Sequence, residues 1–79
     1  MTPFGEKGQN MKYYIINKNK DDNGNNEVHT SDCYYKPAKS NQEDLGWFNN
    51  EVEAKNYAKQ HGWPDADGCY FCCRNAHTG

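Results

Sequence analysis

The distribution of its cysteines constrains this chain more than any other feature. Three of the four lie in the stretch "GCYFCCRNAHTG", at Cys69, Cys72 and Cys73, whereas Cys33 lies far upstream. The chain has 79 residues, of which only 34% are hydrophobic. A domain of fewer than about 80 residues seldom gains more than ~3–5 kcal/mol from one core, so such domains often add a metal ion or disulfides. The cysteines are therefore the candidates for that additional stabilisation.

The cellular compartment decides which cysteine chemistry is expected. The N-terminal stretch "MTPFGEKGQN" lacks the apolar run, about 7–15 residues long, of a secretory signal. No segment approaches the ~20 apolar residues of a membrane span. The sequence therefore predicts a cytoplasmic protein, and thiols stay reduced in that compartment. This favours metal or redox chemistry over structural disulfides.

The predicted organisation is one small α+β domain over residues 11–79, preceded by a disordered leader over residues 1–10. Aromatic and β-branched residues predict a strand over residues 12–19, and "DDNGNN" provides turn residues before a second strand at 27–30. The short apolar stretch at 45–48 predicts a third strand. Together these give a small antiparallel sheet, a β-hairpin plus a short third strand.

A three-turn helix is predicted at residues 51–61. Asn50 is placed to cap its N-terminus, with Glu53 as the capping-box partner. Gly62 and Pro64 follow the last helical residue, as expected at a helix end. The Cys-rich turn comes next, with a last helical turn predicted at 74–77. The expected domain is stabilised by a metal.

Two pairs of residues have the spacing of metal ligands: His29-x3-Cys33 and Cys69-x2-Cys72. A Cys-x2-Cys pair suits zinc because the tight turn between the cysteines aims both sulfurs at one ion, about 2.3 Å away. A second pair from a distant part of the chain would complete a tetrahedron. The sequence therefore predicts one Zn²⁺ per chain, with iron as the other metal that favours such ligands.

Two further residues compete for the four positions. Cys73 directly follows Cys72, and neighbouring side chains diverge in extended backbone, so one of the two thiols is expected to be spare. Cys73 and His77 would lie on one face of a helical turn. Spacing alone therefore leaves open a second ligand set: Cys33, Cys69, Cys73 and His77.

The order of these elements resembles the zinc-binding N-terminal domain of the Ada DNA-repair proteins, the methylphosphotriester-repair module. The resemblance covers residues 27–73, with "HTSDC" at the first ligand pair and "CYFC" at the second. Between them "WFNNEVEAKNYAKQHGW" stands at the family's strand, helix and glycine-aromatic turn. The resemblance implies an Ada-like fold in which the ligands are His29, Cys33, Cys69 and Cys72.

One departure from the Ada pattern bears on activity. In that family the first cysteine of the first pair accepts the methyl group, and here His29 occupies the position. An imidazole completes a zinc site but does not perform that thiolate's alkyl transfer. Asp32 also stands where the family has basic residues. The resemblance thus implies a scaffold without the methyl acceptor, and we predict a protein that is not an enzyme.

Three functional hypotheses follow. The first is a monomeric zinc module that binds an unknown protein partner, or binds nucleic acid weakly, since a net charge of −2 opposes strong phosphate binding. The second is a thiol redox protein or sensor using Cys69, Cys72 and Cys73. The third is a metal-free domain stapled by disulfides, for which four cysteines allow three connectivities. Elemental analysis separates the zinc hypothesis from the other two.

Overall fold

The computed structural model describes residues 11–78, and within them the chain forms four strands, one helix and two 3-10 turns. In chain order these are β1 (Lys12–Asn17), β2 (Asn26–Thr30), a 3-10 turn (Lys39–Asn41), β3 (Gln42–Phe48), α1 (Glu51–Gln60), β4 (Ala66–Gly68) and a second 3-10 turn (Arg74–Ala76). The predicted α+β class is confirmed. The predicted leader at residues 1–10 lies outside the described residues.

Strands β1 and β2 form the predicted antiparallel hairpin, with Tyr14 opposite Thr30 and Ile16 opposite Val28. The turn between them is stabilised by Asp21, whose carboxylate accepts hydrogen bonds of 2.9 Å from two backbone N–H groups. Both strands are central in the sheet, so their backbones are fixed on both sides. The hairpin therefore holds the C-terminal end of β2 rigidly at one end of the domain.

The third strand, β3, pairs antiparallel with β1 at one edge of the sheet and begins three residues earlier than predicted. Its first residues, Gln42, Glu43 and Asp44, are polar, and charged side chains on an edge strand discourage pairing of its free backbone groups with another chain. A register shift interrupts the pairing near Gly46, which has a φ of 114°. Glycine adopts this conformation without strain, so it accommodates the bulge.

The opposite edge holds a strand that the sequence did not predict. β4 pairs parallel with β2, with Asn26 opposite Ala66 and Val28 opposite Gly68. The sheet order is β3-β1-β2-β4. Because the β2–β4 pairing is parallel, the sheet is mixed and not purely antiparallel as predicted. Since β4 leads directly into Cys69, it sets the position of the Cys-rich segment beside the end of β2.

Helix α1 follows the predicted capping rules and ends one residue earlier than predicted. The Asn50 side chain accepts a 2.9 Å hydrogen bond from the backbone N–H of Glu53 at the N-terminus. At the C-terminus Gly62 has a φ of 104°, and the N–H of Trp63 returns to a carbonyl of the last helical turn at 3.0 Å. Within residues 11–78 no helix is long and apolar enough to cross a membrane.

The core lies between the sheet and α1, and it extends into the Cys-rich segment. Its buried members are Tyr14, Ile16, Val28, Cys33, Leu45, Ala54, Ala58, Ala66, Cys69, Cys73 and Ala76. A mostly buried ion pair adds to it: the Lys55 ammonium lies 3.2 Å from the Asp67 carboxylate and donates at 2.9 Å to the carbonyl of Ala76. This lysine connects α1 to β4 and to the C-terminal turn.

Candidate metal centre

Four cysteine and histidine side chains converge at the end of the sheet. The donor atoms of His29, Cys33, Cys69 and Cys72 all lie within 4.8 Å of one another. The Cys33 and Cys69 sulfurs are 4.0 Å apart, as are the Cys72 sulfur and Nδ1 of His29. Two sulfurs bound to one tetrahedral zinc would be roughly 3.8 Å apart, given zinc–sulfur bonds of about 2.3 Å. The group is therefore positioned to hold a metal ion.

The hairpin supplies the first two of these side chains. His29 lies in β2, and a turn closed by the hydrogen bond from the N–H of Cys33 to the carbonyl of Thr30, 3.1 Å long, brings Cys33 back beside it. The Cys33 sulfur accepts a hydrogen bond of 3.4 Å from the N–H of Tyr35. Local chain geometry thus fixes both donors and already aims an N–H group at the sulfur.

The C-terminal segment supplies the other two. The Cys69 N–H donates to the carbonyl of Val28 at 2.9 Å, which continues the parallel pairing of β4. The chain then turns, with the N–H of Cys73 bonded to the carbonyl of Cys69 at 2.9 Å. Cys72 is thereby brought against β2, where its sulfur accepts a hydrogen bond of 3.4 Å from the N–H of Thr30.

Burial sets the protonation states of the group. His29, Cys33 and Cys69 are 1%, 6% and 2% exposed. Burial raises the pKa of Cys69 to about 12, although backbone N–H groups of the following turn act in the opposite direction. The pKa of Cys33 is raised mainly by burial, and that of Cys72 by its contact with the Cys73 thiol and then by burial. The three thiols are therefore protonated at neutral pH in the absence of a cation.

His29 is neutral under the same conditions. Burial, together with the nearby positive charge of Lys36, lowers its pKa to about 4. A neutral imidazole has one nitrogen lone pair available to a metal. A bound divalent cation would also favour deprotonation of the three thiols, since a coordinating thiol loses its proton. The donor set therefore fits a soft, divalent metal ion chemically as well as geometrically.

The two alternate residues lie outside this group. The Cys73 thiol is fully buried, 3.5 Å from the Cys72 sulfur. The predicted divergence of these neighbouring side chains does not occur, because the backbone turns at Cys73 (φ −134°, ψ 50°) instead of remaining extended. His77 directs Nδ1 to the carbonyl of Gly68 at 2.9 Å. His77 thus stabilises the C-terminal turn against β4.

All four cysteines are free thiols. The closest contacts, 3.5 Å between Cys72 and Cys73 and 4.0 Å between Cys33 and Cys69, are much longer than the ~2.05 Å of a disulfide bond. Reactive redox thiols have a lowered pKa, whereas the three shifted thiols here have a raised pKa. The raised pKa values therefore argue against reactive redox thiols.

Sequence analysis missed one residue beside the group. Oε1 of Glu27 lies 3.4 Å from Nε2 of His29, on the side of the ring away from Cys72. The two residues are alternate positions of β2, whose side chains point to the same face of a strand. The pattern Glu-x-His in a predicted strand was the signal that would have identified Glu27.

Exposed aromatic rings surround the two turns that carry the cysteines. Tyr35 and Phe71 stack with ring centroids 4.1 Å apart, and they are 53% and 61% exposed. Tyr34 packs edge-on against Tyr35, and Tyr70 packs edge-on against Phe71. The guanidinium of Arg74 lies 4.9 Å from the centre of the Tyr70 ring. These rings form one continuous aromatic surface, made by residues that directly follow Cys33 and Cys69 in the chain.

Comparison with known proteins identified no relative of this chain. No family model matches the sequence, and neither a curated protein nor a solved structure is significantly similar to it.

Proposed function

We propose that this chain is a non-enzymatic zinc module, in which one Zn²⁺ bound by His29, Cys33, Cys69 and Cys72 stabilises the fold. One observation carries the proposal: four donor atoms from two distant parts of the chain lie within 4.8 Å of one another. An ion at that point would join the hairpin to the C-terminal segment. Metal binding would then contribute directly to the free energy of folding.

The donor types favour zinc and a structural role. Three cysteines and one histidine form one of the common ligand sets of structural zinc, whereas hard ions such as Mg²⁺ and Ca²⁺ prefer oxygen ligands. Four protein ligands fill a tetrahedral site and leave no open position for water or substrate. A catalytic zinc site normally keeps that position open, so four ligands support the non-enzymatic assignment.

The proposed role of the module is binding to a partner protein. The support for it is the exposed aromatic surface formed by Tyr34, Tyr35, Tyr70 and Phe71, since contiguous exposed apolar surface commonly marks an interaction site. We further propose that the module is Ada-like, with His29 at the methyl-acceptor position arguing against alkyl transfer. A reducing compartment such as the cytosol would keep the cysteines available to the metal.

Metal analysis of the native protein tests the proposal. Protein purified without added metal should contain close to one zinc per chain. A strong chelator should abolish its circular dichroism and chemical-shift dispersion, and added zinc should restore both. A metal-free protein whose fold survives chelation would contradict the zinc hypothesis. Intact mass with and without reductant would then distinguish a disulfide-bonded protein from one with free thiols.

Proton release provides a second, independent prediction. The raised pKa values of Cys33, Cys69 and Cys72 mean that these thiols are protonated at pH 7, whereas His29, with a pKa of about 4, is not. Zinc binding at pH 7 should therefore release close to three protons, and affinity should rise with pH because protons compete with zinc. Calorimetry in buffers of different ionisation enthalpy measures this number. Release of one proton or fewer would exclude a three-thiolate site.

A further inference from the structure

The two ring nitrogens of His29 face different partners. Nδ1 lies 4.0 Å from the Cys72 sulfur, within the candidate metal centre. Nε2 lies 3.4 Å from Oε1 of Glu27, outside that centre. The His29 side chain is 1% exposed, and that of Glu27 is 32% exposed. The imidazole is therefore enclosed between a cluster of sulfurs and a carboxylate.

The backbone of β2 holds this pair in place. Glu27 is paired with Asp67 of β4, and His29 is paired with Ile15 of β1, so the strand is bonded on both sides. Because Glu27 and His29 are two residues apart on one strand, their side chains share a face. The contact therefore follows from the central strand of the sheet and not from a flexible loop.

A histidine that binds a metal through one nitrogen usually donates the hydrogen of the other nitrogen to a carboxylate or carbonyl. That partner fixes which nitrogen is protonated, sets the orientation of the ring and makes the metal-binding nitrogen more basic. For His29 the carboxylate of Glu27 is placed to act in this way. A proton on Nε2 would leave the lone pair of Nδ1 directed toward the sulfurs.

We propose that Glu27 is a positioning residue of the metal centre, which holds His29 in the tautomer whose Nδ1 binds the ion. This inference rests on the proposed zinc module and deepens it. Glu27 acts through His29 and does not contact the metal. A carboxylate that only balanced the charge of the centre would not select a tautomer, whereas this assignment predicts which nitrogen of His29 carries the proton.

Two substitutions of Glu27 separate positioning from a general structural role. Glu27→Ala removes the acceptor and should weaken zinc binding roughly 10- to 100-fold, the range found when such partners are lost. Glu27→Gln keeps an acceptor oxygen without the charge, so its loss should be smaller, below about tenfold. Affinity is measured by competition with a chromophoric chelator. Glu43→Ala, at an exposed position of edge strand β3, is the matched control and should match the wild type.

The tautomer is the second measurement. Long-range ¹H–¹⁵N correlation spectra of the zinc-loaded wild type should show His29 protonated at Nε2 and metal-bound at Nδ1. The proposal is overturned if the metal is on Nε2, or if Glu27→Ala and Glu27→Gln both bind zinc as the wild type does. A wild type that binds no zinc overturns the zinc module as well, so the two failures are distinguishable.

Discussion

Replacing Cys69 by alanine is expected to abolish stoichiometric zinc binding and to leave the domain unfolded at 25 °C. Structural zinc contributes about 10–16 kcal/mol in small metal-binding domains, whereas a core of this size seldom provides more than ~3–5 kcal/mol. The Cys69 sulfur is 2% exposed and lies 4.0 Å from that of Cys33, at the meeting point of the two ligand pairs. Elemental analysis and circular dichroism of the purified variant test both expectations.

Cys73→Ala is the matched control, because Cys73 is as deeply buried as Cys69 but lies outside the group of four donors. It should retain close to one zinc per chain and lose only about 1 kcal/mol of stability, the usual effect of a core substitution. The reverse result, loss of zinc in Cys73→Ala and retention in Cys69→Ala, would contradict the proposed ligand set. Loss of zinc in both variants would favour the alternative set of Cys33, Cys69, Cys73 and His77, because that set also contains Cys69.

The parts of the fold that depend on local chemistry could be predicted from the sequence. Asn50 caps the N-terminus of α1 and Gly62 adopts the left-handed conformation after its C-terminus. Both could be predicted because each depends on the residue type at one position. The Asn- and Asp-rich turn likewise marks the hairpin. The convergence of His29, Cys33, Cys69 and Cys72 was also anticipated from the spacing of the two pairs, although spacing alone left Cys73 and His77 open as alternatives.

The parts that depend on long-range pairing were missed. β4 consists of Ala66, Asp67 and Gly68, none of which favours a strand, and it exists because β2 offers a free edge beside it. The turn at Cys73, which keeps its thiol close to that of Cys72, follows from the same docking. Sequence patterns describe neither, since both are produced by contacts between distant parts of the chain.

Gly68 lies where the C-terminal turn packs closely against β4, and Gly68→Ala is expected to weaken both folding and zinc binding. An added Cβ would lie 2.5 Å from the Cys73 carbonyl oxygen and 2.7 Å from Cβ of Ala76. These are atoms of the packed C-terminal turn and not the end of a flexible side chain, so the turn must move away from β4. We expect a loss of about 3 kcal/mol or more in the free energy of unfolding, the upper end for overpacking.

The effect of Gly68→Ala on zinc distinguishes docking from general destabilisation. Because Gly68 immediately precedes Cys69, a displaced turn also moves ligands, and zinc affinity should fall more than about tenfold, or 1.4 kcal/mol. Gly24→Ala is the control: Gly24 has a φ of 81° in the hairpin turn, with open space where a Cβ would be. Its left-handed backbone should cost about 1–2 kcal/mol of stability, and because folding is coupled to zinc binding, zinc affinity should fall by no more than that amount. If the loss of zinc affinity were the same for each kcal/mol of lost stability in both variants, the metal centre would respond only to overall stability. A selective effect of Gly68→Ala would instead show that the parallel strand β4 positions the second pair of cysteines.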